Sequence, residues 1–173
     1  MRKFFLFLFT AAVLFHFGAC KKDNIVPIDF SQYTATDSNC IISGVYDNTD
    51  WTYDTTWTAT ETALMSFNAN IATTDSTFGY VHVSPACPNP NNGLFIIGIN
   101  TEKQCKMKIV CVNTSFETLY YTSKKFTGGP IVTSYDFSAL TSFHPNENYR
   151  LYYAFYNSLD SIYYKGHGDI RIE

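Results

Sequence analysis

Tyr149-Arg150-Leu151-Tyr152-Tyr153-Ala154-Phe155-Tyr156 decides how this 173-residue chain is read. With a period of two it puts Tyr149, Leu151, Tyr153 and Phe155 on one side. Arg150, Tyr152, Ala154 and Tyr156 fall on the other, as a half-buried strand requires. Outward from it, eight further stretches are rich in β-branched and aromatic residues and bounded by Asn, Asp, Gly, Pro or Ser. They are 40–46, 63–72, 78–84, 93–99, 105–112, 117–122, 131–137 and 162–172. No window carries a helical apolar stripe. Many short strands without intervening helices predict an all-β protein, an antiparallel sandwich.

Composition narrows the class. Charged residues make up 16%, hydrophobic ones 46% and aromatics 17%, which excludes a disordered tail, a coiled coil and a collagen-like repeat. A formal charge of −3 excludes a globally basic nucleic-acid binder, because neutralising phosphates needs concentrated Lys and Arg.

Just upstream of the opening stretch, Phe143-His144-Pro145-Asn146-Glu147-Asn148-Tyr149 has the spacing hydrophobic-x-Pro-x-x-x-Tyr. This resembles the tyrosine corner of fibronectin type III and related immunoglobulin-like domains. The resemblance implies that the Tyr149 ring is buried and its hydroxyl bonds back upstream. It also implies strand C at 105–112, E at 131–137, F at 149–156 and G at 162–172, with C, F and G side by side. The fold expected for residues 40–173 is therefore an immunoglobulin-like sandwich of about seven to nine strands.

The amino terminus reads as a targeting segment. Arg2 and Lys3 precede an apolar run from Phe4 to Phe17, broken only by Thr10 and His16. The run is shorter than the ~20 residues that span a bilayer. Gly18-Ala19-Cys20 then resembles the lipobox of bacterial lipoproteins, although Phe17 departs from the usual aliphatic residue there. The stretch Cys20-Lys21-Lys22-Asp23 is similar to the tether of surface lipoproteins in the Bacteroidetes. These resemblances imply a signal peptide at 1–19 and acyl chains on Cys20, each buried CH₂ contributing ~0.8 kcal/mol to membrane attachment. They imply an outer-membrane protein on its periplasmic or cell-surface side. Residues 20–39 are the expected tether, with Ile25, Ile28 and Phe30 docking locally.

Four cysteines follow Cys20: Cys40, Cys87, Cys105 and Cys111. An even count in an oxidising compartment fits two disulfides. Cys105 and Cys111 share one predicted strand and lie ~20 Å apart at ~3.3 Å per residue, too far to pair. The pairings left are Cys40–Cys105 with Cys87–Cys111, or the crossed set; a hairpin of 93–99 onto 105–112 favours the first. No Cys-x-x-Cys exists, and His82 with Cys87 lacks a partner pair for zinc.

Parity suggests a binding surface. The outer face of strands C, F and G would gather Tyr152, Tyr156 and Tyr163 with Lys106, Lys108, Arg150, Lys165 and His167. Such a face suits an anionic glycan or a partner protein; the plainer reading is cross-strand pairing on an exposed sheet. The loop Tyr46-Asp47-Asn48-Thr49-Asp50-Trp51-Thr52-Tyr53-Asp54 offers oxygens for Ca²⁺ but has neither the central Gly nor the terminal Glu of an EF-hand. Trp51 or Trp57 could form a sugar platform. Past Cys20 only His82, His144 and His167 remain, His167 reading as a bulge between Gly166 and Gly168. No nucleophile elbow, zinc-protease or phosphate-cradling motif is present, so neither an enzyme nor a cofactor is expected, with a dispersed carboxylate pair of the glycosidase kind the one catalytic arrangement left open. Asp54-Thr55-Thr56, Asp75-Ser76-Thr77 and Asp160-Ser161-Ile162 resemble the triplet glycosylated on exported Bacteroidetes proteins, which makes Thr55, Ser76 and Ser161 candidates. The expected function is a non-catalytic, lipid-anchored envelope module that binds a glycan or a protein. The alternative is a structural spacer or subunit of a surface assembly.

Overall fold

The computed structural model describes residues 26–173. The stretch 1–19 expected to be a signal peptide, and Cys20, lie outside the described residues. Among the described residues, seven strands form two antiparallel sheets. They are β1 (Val81–Val83), β2 (Leu94–Thr101), β3 (Cys105–Val112), β4 (Thr118–Phe126), β5 (Gly129–Asp136), β6 (Asn148–Tyr156) and β7 (Ile162–Arg171). One sheet runs β1-β2-β5 and the other β4-β3-β6-β7. The main core lies between them, where Phe95, Ile97 and Tyr135 meet Met107, Ile109, Leu151, Tyr153 and Phe155. These residues alternate along their strands, so the period-two pattern is what the core consumes.

Strands β3, β6 and β7 are adjacent, the neighbourhood that the corner resemblance implies for C, F and G. The Tyr149 ring is buried against Phe143, at 4.8 Å between centroids, and its hydroxyl accepts from the His144 N–H at 2.7 Å. Pro145 thus lies in a bend that the ring and hydroxyl close together.

Two predicted strands are absent. Stretch 40–46 is a loop, and 63–72 contains the end of the six-residue helix α1 (Ala59–Leu64). A capping box starts α1: Thr58 Oγ1 accepts from the Glu61 N–H, and the Thr58 N–H donates to Glu61 Oε2. At its far end the Lys108 ammonium donates to the carbonyls of Met65 (2.9 Å) and Phe67 (2.6 Å), groups a helix terminus leaves open.

The stretch read as a tether is part of the fold from Ile28 onward. Ile28 is buried, its N–H bonds the Thr114 carbonyl, and Thr34, Ala35 and Thr36 are buried too. This strap crosses the end of the larger sheet, then climbs its β7 edge. There Trp51 N–H donates to the His167 carbonyl at 2.7 Å and Asp54 N–H to that of Lys165 at 2.9 Å. Residues 57–67 then lie over the outer face of the sheet. The reason is visible in the strands themselves. Val110, Val112 and Ala154 share that face with the two lysines, and an apolar face of this size must be covered.

Gly166 and Gly168 do not mark a bulge at His167; the register shift in this pair lies at Phe155/Tyr156. They are glycines because the strap passes too close for a side chain. A Cβ on Gly168 would collide with the Trp51 indole, and one on Gly166 with the Thr52 carbonyl. Trp51 is itself buried in the main core, nearly parallel to Tyr153 with centroids 6.2 Å apart. The Gly168→Ala variant should therefore lose about 3 kcal/mol of stability by overpacking. Urea unfolding checks this against Ser134→Ala on the exposed side of β5, which should change little.

The cysteine pairing also differs from expectation. Cys40 is bonded to Cys87, with Cα atoms 5.2 Å apart, and Cys105 and Cys111 are free. Neither Cys40–Cys105 with Cys87–Cys111 nor the crossed set forms. Both β3 cysteines point into the core between the sheets, away from the strap that carries Cys40. Burial raises both thiols above their ordinary pKa, which keeps them protonated and inert.

Candidate functional site

The basic tyrosine face predicted from parity exists as a set of neighbours, but it is not a surface. Tyr152 is fully buried and Tyr156 and Lys106 nearly so. The Tyr152 hydroxyl donates to Glu61 Oε1 at 2.9 Å, and Trp57 packs edge-on against its ring at 5.6 Å. Tyr156 sits near both lysine ammoniums, 5.6 Å from Lys106 and 5.2 Å from Lys108, and burial pushes its phenol up to about 12. Lys106 pairs with Asp160. Desolvation lowers the pKa of Lys108, whose hydrogen bonds hold the cover rather than a ligand. Arg150 makes two 2.7 Å bonds to the carboxylate of fully buried Asp169. His167 Nδ1 lies 2.8 Å from Asp54 Oδ2, and the same oxygen accepts from Trp57 Nε1 at 2.7 Å. Four of the eight predicted ligand residues, Tyr152, Lys108, Arg150 and His167, therefore work as attachments for residues 28–67, Arg150 through the Phe30 ring, while Tyr156 and Lys106 are buried beneath them.

The remaining two, Tyr163 and Lys165, reach an open cleft. Tyr163 leaves the outer face at the β6–β7 register shift and packs against the main core beside the Cys105 thiol. Its exposed portion, with Lys165, Trp57, Tyr53, Thr55 and Thr62, lines a cleft of about 240 Å³. The Lys165 ammonium stands 5.2 Å from the centre of the Trp57 ring. Tyr53 is exposed and leans on Tyr164 at 5.5 Å. The bond from Asp54 N–H to β7 places these walls, since it fixes Tyr53 and Thr55 on either side of a residue held to the sheet. Strap and strand thus build the cleft together. Tyr53 and Thr62 are the members the sequence reading missed. Tyr53 lay inside a stretch already singled out, but its partners come from β7, over a hundred positions later.

The other candidates sort plainly. Trp51 is core and cannot be a platform, whereas Trp57 borders the cleft. The carboxylates of 47–54 are committed to protein donors: Asp47 to Thr49, Asp50 to the N–H groups of Thr34 and Asp169, and Asp54 to Trp57. Among the described residues, no three or more His, Cys, Asp or Glu side chains gather to hold a metal ion. Thr55, Ser76 and Ser161 are all exposed. A second, larger hollow of about 560 Å³ lies beside β4, with Leu64, Phe67 and Tyr121 in its wall. No protein-family model matches this chain, and no curated protein is significantly similar to it in sequence.

Proposed function

We propose that this chain is a lipid-anchored, non-catalytic protein of the bacterial outer membrane that binds an anionic glycan in the cleft of Tyr53, Trp57 and Lys165. The observation that carries the reading is the ammonium of Lys165 standing over the Trp57 ring at an open cleft wall. An aromatic rim takes the C–H face of a sugar, the cation takes a carboxylate or sulfate, and the hydroxyls of Thr55 and Thr62 take ring hydroxyls. The anchor rests on the resemblance of residues 17–23 to the lipobox and its tether. The immunoglobulin-like reading is supported by the adjacency of β3, β6 and β7 and by the Tyr149–His144 bond.

Titration of the protein with oligogalacturonate and with the corresponding neutral oligosaccharide tests the site. Binding should favour the acidic sugar, fall roughly tenfold in Tyr53→Ala, and lose most of its salt dependence in Lys165→Ala. Tyr53 is exposed, so its removal leaves the fold intact by circular dichroism. Absence of binding to both sugars would sink the glycan reading. The second reading, a subunit of a surface assembly, would then stand on the hollow beside β4 and the outer edge of that strand, unpaired among the described residues.

A further inference from the structure

A loop on the strap exposes an unusual amount of apolar surface. Ile41, Ile42, Val45 and Tyr46 are 63%, 48%, 45% and 56% exposed, and 41–46 contains no charged residue. The loop is not a slack segment. Cys40 ties it to Cys87, the Ala35 N–H bonds the Val45 carbonyl at 2.9 Å, and the Ser43 N–H bonds the Ala35 carbonyl at 3.0 Å. Asp37 further accepts from the Asn39 and Ile41 N–H groups. A fold that fixes four apolar side chains outward leaves them for a partner.

Position identifies the partner. The chain enters the sandwich at Ile28, bonded to Thr114 in the β3–β4 connection. The loop's base bonds through Thr36 to Asn89, and neighbouring Asn91 bridges to Ile172 past the end of β7. Ile172 bonds in turn to Glu147, just before β6. The entry point and the loop's base therefore share one end of the sandwich. Val26, 78% exposed, is six positions from Cys20, a reach of about 20 Å at full extension. Strand β7, with 10 residues at about 3.3 Å each, is longer than that reach, so a chain anchored at Cys20 keeps this end nearer the lipid than the other.

We infer that loop 41–46 inserts its apolar side chains into the interfacial layer of the membrane that holds the anchor, turning this end of the sandwich toward the lipid. The inference rests on the reading of Cys20 as acylated. Exposed Asp29, Glu117, Glu147 and Glu173 ring the same end, so the surface that fits is zwitterionic rather than anionic. The opposite end, where Tyr80 bonds Glu102 in the β2–β3 connection, faces away.

The test uses the full acylated chain in phosphatidylcholine vesicles with brominated acyl chains, which quench nearby indoles. Tyr46→Trp should add fluorescence that is quenched at least twofold relative to plain vesicles. Phe78→Trp, at the far end, should add fluorescence that is not. Equal quenching at both positions, or none at 46 in protein that floats with the vesicles, overturns the inference and leaves the anchor standing. Vesicle-bound dimers with position 46 unquenched assign the loop to a second copy and overturn it too. Failure of the parent chain to float, with Cys20→Ser behaving identically, removes the anchor reading and the inference with it.

Discussion

Replacing Cys40 and Cys87 together by Ser is expected to lower the unfolding free energy by about 4 kcal/mol, from the chain entropy of a closed loop this long. The bridge joins positions 47 residues apart. Between them lie the β7-edge strap, α1, the cover over Tyr152 and the three-residue β1, of which only β1 belongs to a strand ladder. An unfolded chain without the bridge gains the freedom of that entire segment, and the native state has no other covalent tie to hold it. Urea unfolding of the oxidised protein and of the double variant measures the difference. A dithiol should bring the parent protein to the same midpoint as the variant. Cys105 and Cys111 should resist maleimide until global unfolding, because both are fully buried. A loss below about 1 kcal/mol would mean that the strap and cover hold themselves.

The second large effect is electrostatic. Asp50 is buried at the strap, where loss of solvent, followed by the charge of Asp169, pushes its carboxyl up to about 7. Asp47 adds to that rise and His167 opposes it, while Arg150 is engaged with Asp169. The carboxyl accepts from the N–H groups of Thr34 and Asp169, so its environment belongs to the folded state alone. Between the ordinary carboxylate pKa and 7, the native protein keeps a proton that the unfolded chain has released. Native stability from this group is therefore complete in acid, declines as pH rises through that window, and is flat beyond it. About three pH units of difference correspond to roughly 4 kcal/mol. Asp50→Asn carries no titratable proton and offers one acceptor oxygen to two donors, a fixed cost of about 1 kcal/mol. The stability difference between parent and variant should consequently shift in favour of the variant from pH 4 to pH 8. A difference independent of pH would refute the elevated carboxyl.

The ladders of the sandwich were legible because each strand carries its own evidence. β3 spans the predicted residues, and β2, β5, β6 and β7 fall within a few residues of expectation, since alternation and turn residues are local signals. Residues 26–80 were not legible as a wrap. Their contacts are made with strands far along the chain, such as Trp51 with Gly168 and Glu61 with Tyr152, and no periodicity announces them. Two clues were nevertheless present. Thr58-x-x-Glu61 is a capping box, and Val110, Val112 and Ala154 among the lysines and tyrosines mark a face too apolar for water. The expected ligand face is buried for that reason: parity fixes the side of a sheet but not what covers it.

The strap along β7 has a bearing on how copies of this protein can join. Its backbone donors occupy the carbonyls that a visiting strand would use at β7, so among the described residues the larger sheet offers only β4 as an open border. A sheet able to grow from both borders propagates into fibres, whereas one with a single border can be extended once. Two copies meeting β4 to β4 would make a closed pair and leave no site for a third. At high local concentration, such a protein is protected from runaway polymerisation through this sheet by the same segment that shields its tyrosines.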